Sequence, residues 1–131
     1  MSHWTVCRVR IKNPNMELLR RVMEILAQKL GSRVVENFLV RGYGHMQLCQ
    51  LAIPLKLPYG NGVGIYIDEN GELKVVMDDH GAPISTQKFA QLLTQYYTAL
   101  AISVASQQLG YTVQNVQETR EGVLLELYVP E

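Results

Sequence analysis

The sequence predicts an α+β domain: a mainly antiparallel sheet of about seven strands with two long helices on one face, in the order β-α-β-β-β-β-α-β-β. Three observations carry the prediction. Short stretches alternate apolar and polar side chains with the period of two that a pleated strand imposes. Two longer stretches place apolar residues at three- and four-residue spacing, the stripe of a helix buried on one side. The strands between those helices follow one another through connections too short for a parallel crossover, so neighbours run antiparallel.

The first strand is residues 4–11, where Thr5, Cys7, Val9 and Ile11 share one face and Trp4, Val6, Arg8 and Arg10 the other. Alternation begins at Trp4, so His3 and Trp4 are expected to pack at the strand's start. Asn13-Pro14 offers an N-cap with proline at the first helical position. Leu18, Leu19, Val22, Ile25, Leu26 and Leu30 then form a helical stripe, and Gly31 stops it. Residues 33–41 and 46–53 read as a hairpin around Gly42-Tyr43-Gly44. Pro54, Pro58 and glycines 60, 62 and 64 break the pattern, which makes 54–62 a connector. Strands 62–67 and 73–77 flank Asp68-Glu69-Asn70-Gly71, whose Asn-Gly pair reaches positive φ at little cost. Ser85 caps the second helix, striped by Phe89, Leu92, Leu93, Tyr96, Tyr97, Leu100, Val104 and Leu109, and Gly110 ends it. A last hairpin pairs 111–117 with 123–129 across Arg120-Glu121-Gly122. Residues 28–37 and 107–116 share a layout, a helix end followed by a hairpin. The economical description is a single domain of two ferredoxin-like half-repeats, about 1–54 and 62–131.

At 131 residues, 47% apolar and 18% charged, the chain has the composition of one ordinary globular domain and not of a disordered segment. No apolar run approaches the ~20 residues of a spanning helix. The basic-then-apolar order of a secretory signal is missing as well. No membrane partner is expected, and the expected location is the cytoplasm, or the plastid stroma if the protein is organellar. Cys7 and Cys49 lie far apart inside apolar strands, with no neighbouring cysteine to complete a metal site. They read as small buried side chains. The charges balance to zero, yet unevenly. Residues 1–60 carry nine Lys/Arg against three Glu, a balance of +6, and residues 61–131 carry three against nine carboxylates, a balance of −6. Such a split suggests complementary faces or a directed partner surface.

The start M-S-H-W, the segment V-G-I-Y-I-D-E-N-G-E-L-K-V-V-M-D, the helix F-A-Q-L-L-T-Q-Y-Y-T-A-L-A-I-S-V-A and the ending L-G-Y-T-V-Q-N-V…G-V-L-L-E-L-Y-V carry a resemblance. The chain resembles the cyanobacterial and plastid family called hypothetical chloroplast reading frame thirty-five, a domain of unknown function. The resemblance spans nearly the whole chain and is strongest from residue 62 onward. It implies a small soluble protein without an assigned activity, and an AAA-type ATPase as a partner.

Each chemical motif competes with a plainer reading. His3 has the third-position spacing that wraps Cu(II) or Ni(II) around an amino terminus, but trimming of Met1 ahead of Ser2 destroys that spacing, and a packed strand start is the better reading. Asp78, Asp79 and His80, with His45 from a distant segment, are weak candidates for a metal-dependent site, set against a solvated turn near a helix dipole. Gly60-Asn61-Gly62-Val63-Gly64 precedes a strand and lacks the Gly-Lys-Ser/Thr of a phosphate loop. No nucleophile motif occurs. Trp4, Arg8 and Arg10 on one strand face, with Tyr43, are candidates for partner binding, and the same stripe is the alternative site for single-stranded nucleic acid. The expected function is therefore a non-catalytic interaction or adaptor protein that binds a protein partner or itself. Nucleic acid is the weaker alternative, and no cofactor is expected.

Overall fold

The computed structural model describes residues 2–120 and 122–128, so Glu121 and Val129, counted in the last hairpin, lie outside the described residues. The elements are β1 (Trp4–Val9), α1 (Met16–Lys29), β2 (Val35–Gly42), β3 (His45–Pro54), β4 (Gly62–Ile67), β5 (Leu73–Asp78), α2 (Thr86–Gln108), β6 (Thr112–Thr119) and β7 (Gly122–Tyr128). The fold is α+β, and the element order is the expected one. The strands divide, however, into a five-stranded antiparallel sheet ordered β1-β5-β4-β3-β2 and a separate two-stranded sheet of β6 and β7. Helix α1 carries the chain from one edge of the large sheet to the other. A meander through β2, β3, β4 and β5 then returns to β1, so the middle of one sheet spans both expected half-repeats.

The core lies between the helices and one sheet face. Val9, Leu51, Ile53, Val63, Ile65, Leu73, Val75 and Met77 point there from the strands. Leu19, Val22, Met23 and Leu26 of α1 and Phe89, Leu92, Leu93 and Tyr96 of α2 meet them. The α2 stripe is fully used only in its first half. Leu100 and Val104 are half-buried, and Leu109 is 78% exposed, because it caps the helix where no strand lies beneath it. The N-cap of α1 is Asn15, whose side chain accepts the Glu17 and Leu18 amides. Asn13, the expected cap, has φ 48, a left-handed conformation that an N-cap does not adopt. Ser85 caps α2 as expected, accepting the Lys88 amide.

The sheet face opposite the helices is not bare. The β3–β4 ladder covers only residues 51–54 and 62–65, so the far half of the β2–β3 hairpin leaves β4. Asn37, with φ 49, marks the bend, and the β2–β3 pairing skips it. Beyond it the ribbon folds back across the second face, where Val40, Cys49, Ala52 and Val76 form a small core edged by Trp4, Phe38 and Tyr66. Two glycines permit the approach. A Cβ on Gly64 would stand 2.5 Å from Cys49 Sγ and 2.7 Å from Val40 Cγ2, and one on Gly42 would stand 2.5 Å from Trp4 Cε3.

The two-stranded sheet is too small to stand alone. Tyr96 donates its hydroxyl to Glu118 at 2.9 Å, and Lys29 reaches the same carboxylate at 3.2 Å while lying over the Tyr96 ring. Val123 adds an apolar contact to the main core. Among the described residues no helix is long and apolar enough to cross a membrane.

Leu93→Ala is expected to cost about 2–5 kcal/mol by urea titration, since Leu93 is fully buried. Ile102→Ala, at a site 47% exposed, is expected to cost less than about 1 kcal/mol. Gly64→Ala is expected to cost about 1–3 kcal/mol through overpacking. Wild-type stability in Gly64→Ala would show that the hairpin does not lie on this face.

Candidate functional site

The end of β5 organises the upper rim of the sheet. Asp78 is fully buried. Its Oδ1 accepts the His3 amide at 2.8 Å, and its Oδ2 accepts the Tyr43 amide at 3.3 Å. Gly42 and Gly60 leave room for it, since a Cβ on either would lie within about 3.2 Å of Asp78. Asp79 fastens the next layer. Its Oδ2 accepts the Thr86 amide at 2.9 Å and the Thr86 hydroxyl at 2.7 Å, while Oδ1 pairs with His3 Nδ1. The Asp79 amide also donates to the His3 carbonyl at 3.0 Å. Both carboxylates that read as cation ligands thus tie the chain's start, the hairpin and the head of α2 to one strand end. Burial pushes the Asp79 pKa up, but the Thr86 amide and hydroxyl and the His3 ring outweigh it, leaving a net lowering.

Aromatic rings cover this anchor, and all three histidines of the chain lie here. Trp4 stacks on His45 at 5.2 Å and 12° between planes. Tyr43 meets Tyr59 edge-on at 6.0 Å, and Tyr59 tilts against His80 at 5.3 Å. His45 Nδ1 lies 3.1 Å from the Tyr43 carbonyl, which can only accept, so that nitrogen carries the proton. Among the described residues no three His, Cys, Asp or Glu side chains converge to hold a metal ion. The third-position copper arrangement needs a deprotonated His3 amide, and that amide is bonded to Asp78.

The outer face of the hairpin is the part the sequence reading passed over. Leu39 faces Leu48 across the ladder, and Arg41 faces Met46. Leu39 is 40%, Leu48 58%, Met46 67% and Tyr43 72% exposed. Strand β2, which carries this face, is the last strand of the sheet, and the Asn61 side chain occupies its outward backbone here, accepting the Arg41 amide at 2.7 Å and donating to the Leu39 carbonyl at 3.0 Å. The signal was present in the sequence. Between Phe38 and Cys49 apolar side chains occupy both parities of the hairpin, so one set had to remain outside once the other was packed.

The proposed partner-binding residues separate into two places. Trp4 and Tyr43 come together through Gly42 and Asp78. Arg8 and Arg10 lie toward the other end of β1, with Arg10 roughly 20 Å from Trp4 at ~3.3 Å per residue. Arg8 Nε pairs with Glu72 at 3.1 Å, whereas Arg10 and Lys12 have no carboxylate within 4 Å among the described residues. The cysteines are both free, Cys49 buried and Cys7 half-buried. Burial pushes the Cys49 thiol up to about 12, which leaves it a poor nucleophile.

The lowered Asp79 pKa has a consequence for acid stability. Its contribution is fully present above the unfolded value, ~3.9, and is lost as pH falls through the lower folded value. Asp79→Asn is expected to be less stable than wild type at pH 7 and to lose less of its remaining stability below pH ~4, by urea titration across pH. Parallel curves for the two proteins would show that Asp79 is not held ionised in the fold.

A family model matches residues 26–125, and the family it describes is DUF1257, a protein of unknown function. No curated protein and no solved structure matches the chain.

Proposed function

The chain belongs to the DUF1257 family of unknown function, and we propose that it is a non-catalytic interaction protein whose β2–β3 hairpin docks a protein partner, a second copy included. One observation carries this reading. Leu39, Met46, Leu48 and Tyr43 are exposed large side chains of one hairpin at the end of the sheet. Isolated exposed apolar residues are ordinary, but several gathered on one hairpin face mark an association surface. Tyr, Met and Arg, all present here, are the side chains enriched at interfaces. The hairpin is also braced from behind by Asp78 and Trp4, so its outer face is presented without a further ordering cost.

The rival readings draw less support. A nucleic-acid stripe needs a free ring beside its arginines, and Trp4 is stacked on His45, well away from Arg10. A metal-dependent enzyme needs available ligands, and Asp78 and Asp79 are engaged in backbone and hydroxyl bonds. An AAA-type ATPase, the partner implied by the family resemblance, is the first protein to try. Placement in the cytoplasm, or in the plastid stroma, fits a chain with two free cysteines.

The test is the double variant Met46→Glu with Leu48→Lys, compared with wild type by sedimentation and by capture of a purified AAA-type ATPase. Binding or self-association is expected to weaken at least about tenfold with the melting temperature unchanged, since one interface anchor is commonly worth ~2 kcal/mol or more. A wild-type protein that stays monomeric and captures no partner, or a variant that binds as well as wild type, would remove the reading.

A further inference from the structure

We infer that the opposite edge of the sheet, the free side of β1, takes an extended acidic peptide segment of a partner protein as an added strand. The backbone is arranged for it. Among the described residues strand β1 is bonded to β5 alone, with Trp4 opposite Asp78 and Arg8 opposite Lys74. The His3 carbonyl accepts the Asp79 amide, which makes 3/79 a hydrogen-bonded pair. In an antiparallel ladder such pairs alternate with open ones. Thr5, Cys7 and Val9 therefore bond inward to β5, while Trp4, Val6 and Arg8 direct their amides and carbonyls outward. Those groups are the ladder that an incoming strand completes.

The surface beside this edge has the shape for a strand's side chains. A groove of about 570 Å³ runs between β1 and α2, floored by the small residues Cys7 and Ala90 and rimmed by Gln87, Gln91 and Gln95. It continues past Arg10 as a depression of about 350 Å³ over Ala101 and Ile102. Small floor residues leave space for inward-pointing side chains, and carboxamides can pair with either a donor or an acceptor.

Charge selects the occupant. Arg10 borders three surface depressions, and neither Arg10 nor Lys12 has a carboxylate within 4 Å among the described residues. Arg8, though paired with Glu72, keeps 60% of its side chain exposed. An acidic strand supplies the missing counter-charges. Strand β1 itself carries no carboxylate, so a second copy pairing through its own β1 leaves Arg10 and Lys12 without counter-charges. A nucleic acid could meet the cations and accept from single amides, but it could not complete the alternating ladder of amides and carbonyls as an added strand does.

Fluorescence anisotropy of a labelled peptide of about eight residues alternating Glu and Val, against the full chain, tests the inference. Binding is expected at ~50 mM salt, with loss at 1 M. The Lys/Val counterpart is expected not to bind. Arg10→Glu with Lys12→Glu is expected to weaken binding at least about tenfold. Val6→Pro removes only an outward amide and leaves the β5 ladder intact, so binding is expected to fall while the melting temperature holds. Should Val6→Pro unfold the protein, the Arg10/Lys12 variant still decides. No binding of the acidic peptide overturns the inference. So does full binding by Val6→Pro, preference for a single-stranded oligonucleotide, or a change of oligomeric state in Val6→Pro. The hairpin variant Met46→Glu/Leu48→Lys is expected to bind the peptide as wild type does, which keeps this edge separate from the other.

Discussion

A carboxyl group with no solvent exposure must be hydrogen-bonded, and the end of this sheet is built around that requirement. Asp78 lies at the last position of β5, and its two oxygens take amides from segments far apart in the chain, His3 and Tyr43. A buried polar group left unsatisfied costs several kcal/mol, so both segments are drawn to one point. The consequence is geometric. The chain's start becomes an ordered lead into β1, and the β2–β3 hairpin, which could extend freely past β4, bends back until its tip meets β5. Asp79 repeats the device one residue later, with Thr86 and His3 as its partners, and fixes where α2 begins.

Folding the hairpin back has a second effect. It buries one apolar face of a ribbon that is apolar on both, and the face left outside is the patch at Leu39, Met46 and Leu48. A flatter sheet would have offered solvent one broad surface. This arrangement leaves two different edges, β2 with an apolar face and β1 with a cationic groove. Edges of this kind are usually blunted, by charge as with Arg8 and Arg10 at β1, or by covering the backbone as Asn61 does on β2, which leaves the leucine side chains but not the strand's amides exposed. The contrast separates the two proposed docking surfaces in chemistry.

Much of the architecture was legible in the sequence, because it follows from local rules. Period-two runs placed the strands, Ser85 and Gly110 bounded α2, and Asn70-Gly71 formed the turn it signals, with Gly71 at φ 76. What failed depended on distant pairing. The split into five and two strands is decided by α2 separating β6 from the sheet, which no local window contains. Asn13 and Asn15 are both acceptable caps by type, and only the backbone distinguishes them. The stripe ending at Leu109 was periodic but had no sheet beneath its last turns. At the candidate site, Trp4 and Tyr43 were found, while Leu39, Met46, Leu48 and Tyr59 were missed. Their exposure follows from a bend at Asn37 that alternation alone does not reveal.

The division of charge along the chain also acquires a physical meaning. Some of it is used internally: Arg8 with Glu72 joins β1 to the approach of β5, and Lys29 with Glu118 joins α1 to β6. The second pair does structural work out of proportion to an ordinary surface ion pair, because Tyr96 donates to the same carboxylate from a largely buried ring. That hydrogen bond and Lys29 hold the Glu118 pKa down. The Glu118 bond likewise holds the Lys29 pKa up. Both shifts favour the ionised pair and oppose loss of the contact near neutral pH. A two-stranded sheet with little core of its own is thereby fastened to both helices at one point. Among the described residues several other cations have no carboxylate within 4 Å, and two of these, Arg10 and Lys12, lie just beyond the end of β1, beside the strand's outward amides. A cation pair beside an open strand edge couples charge to a row of directional hydrogen-bonding groups, which an even spread of charge does not do.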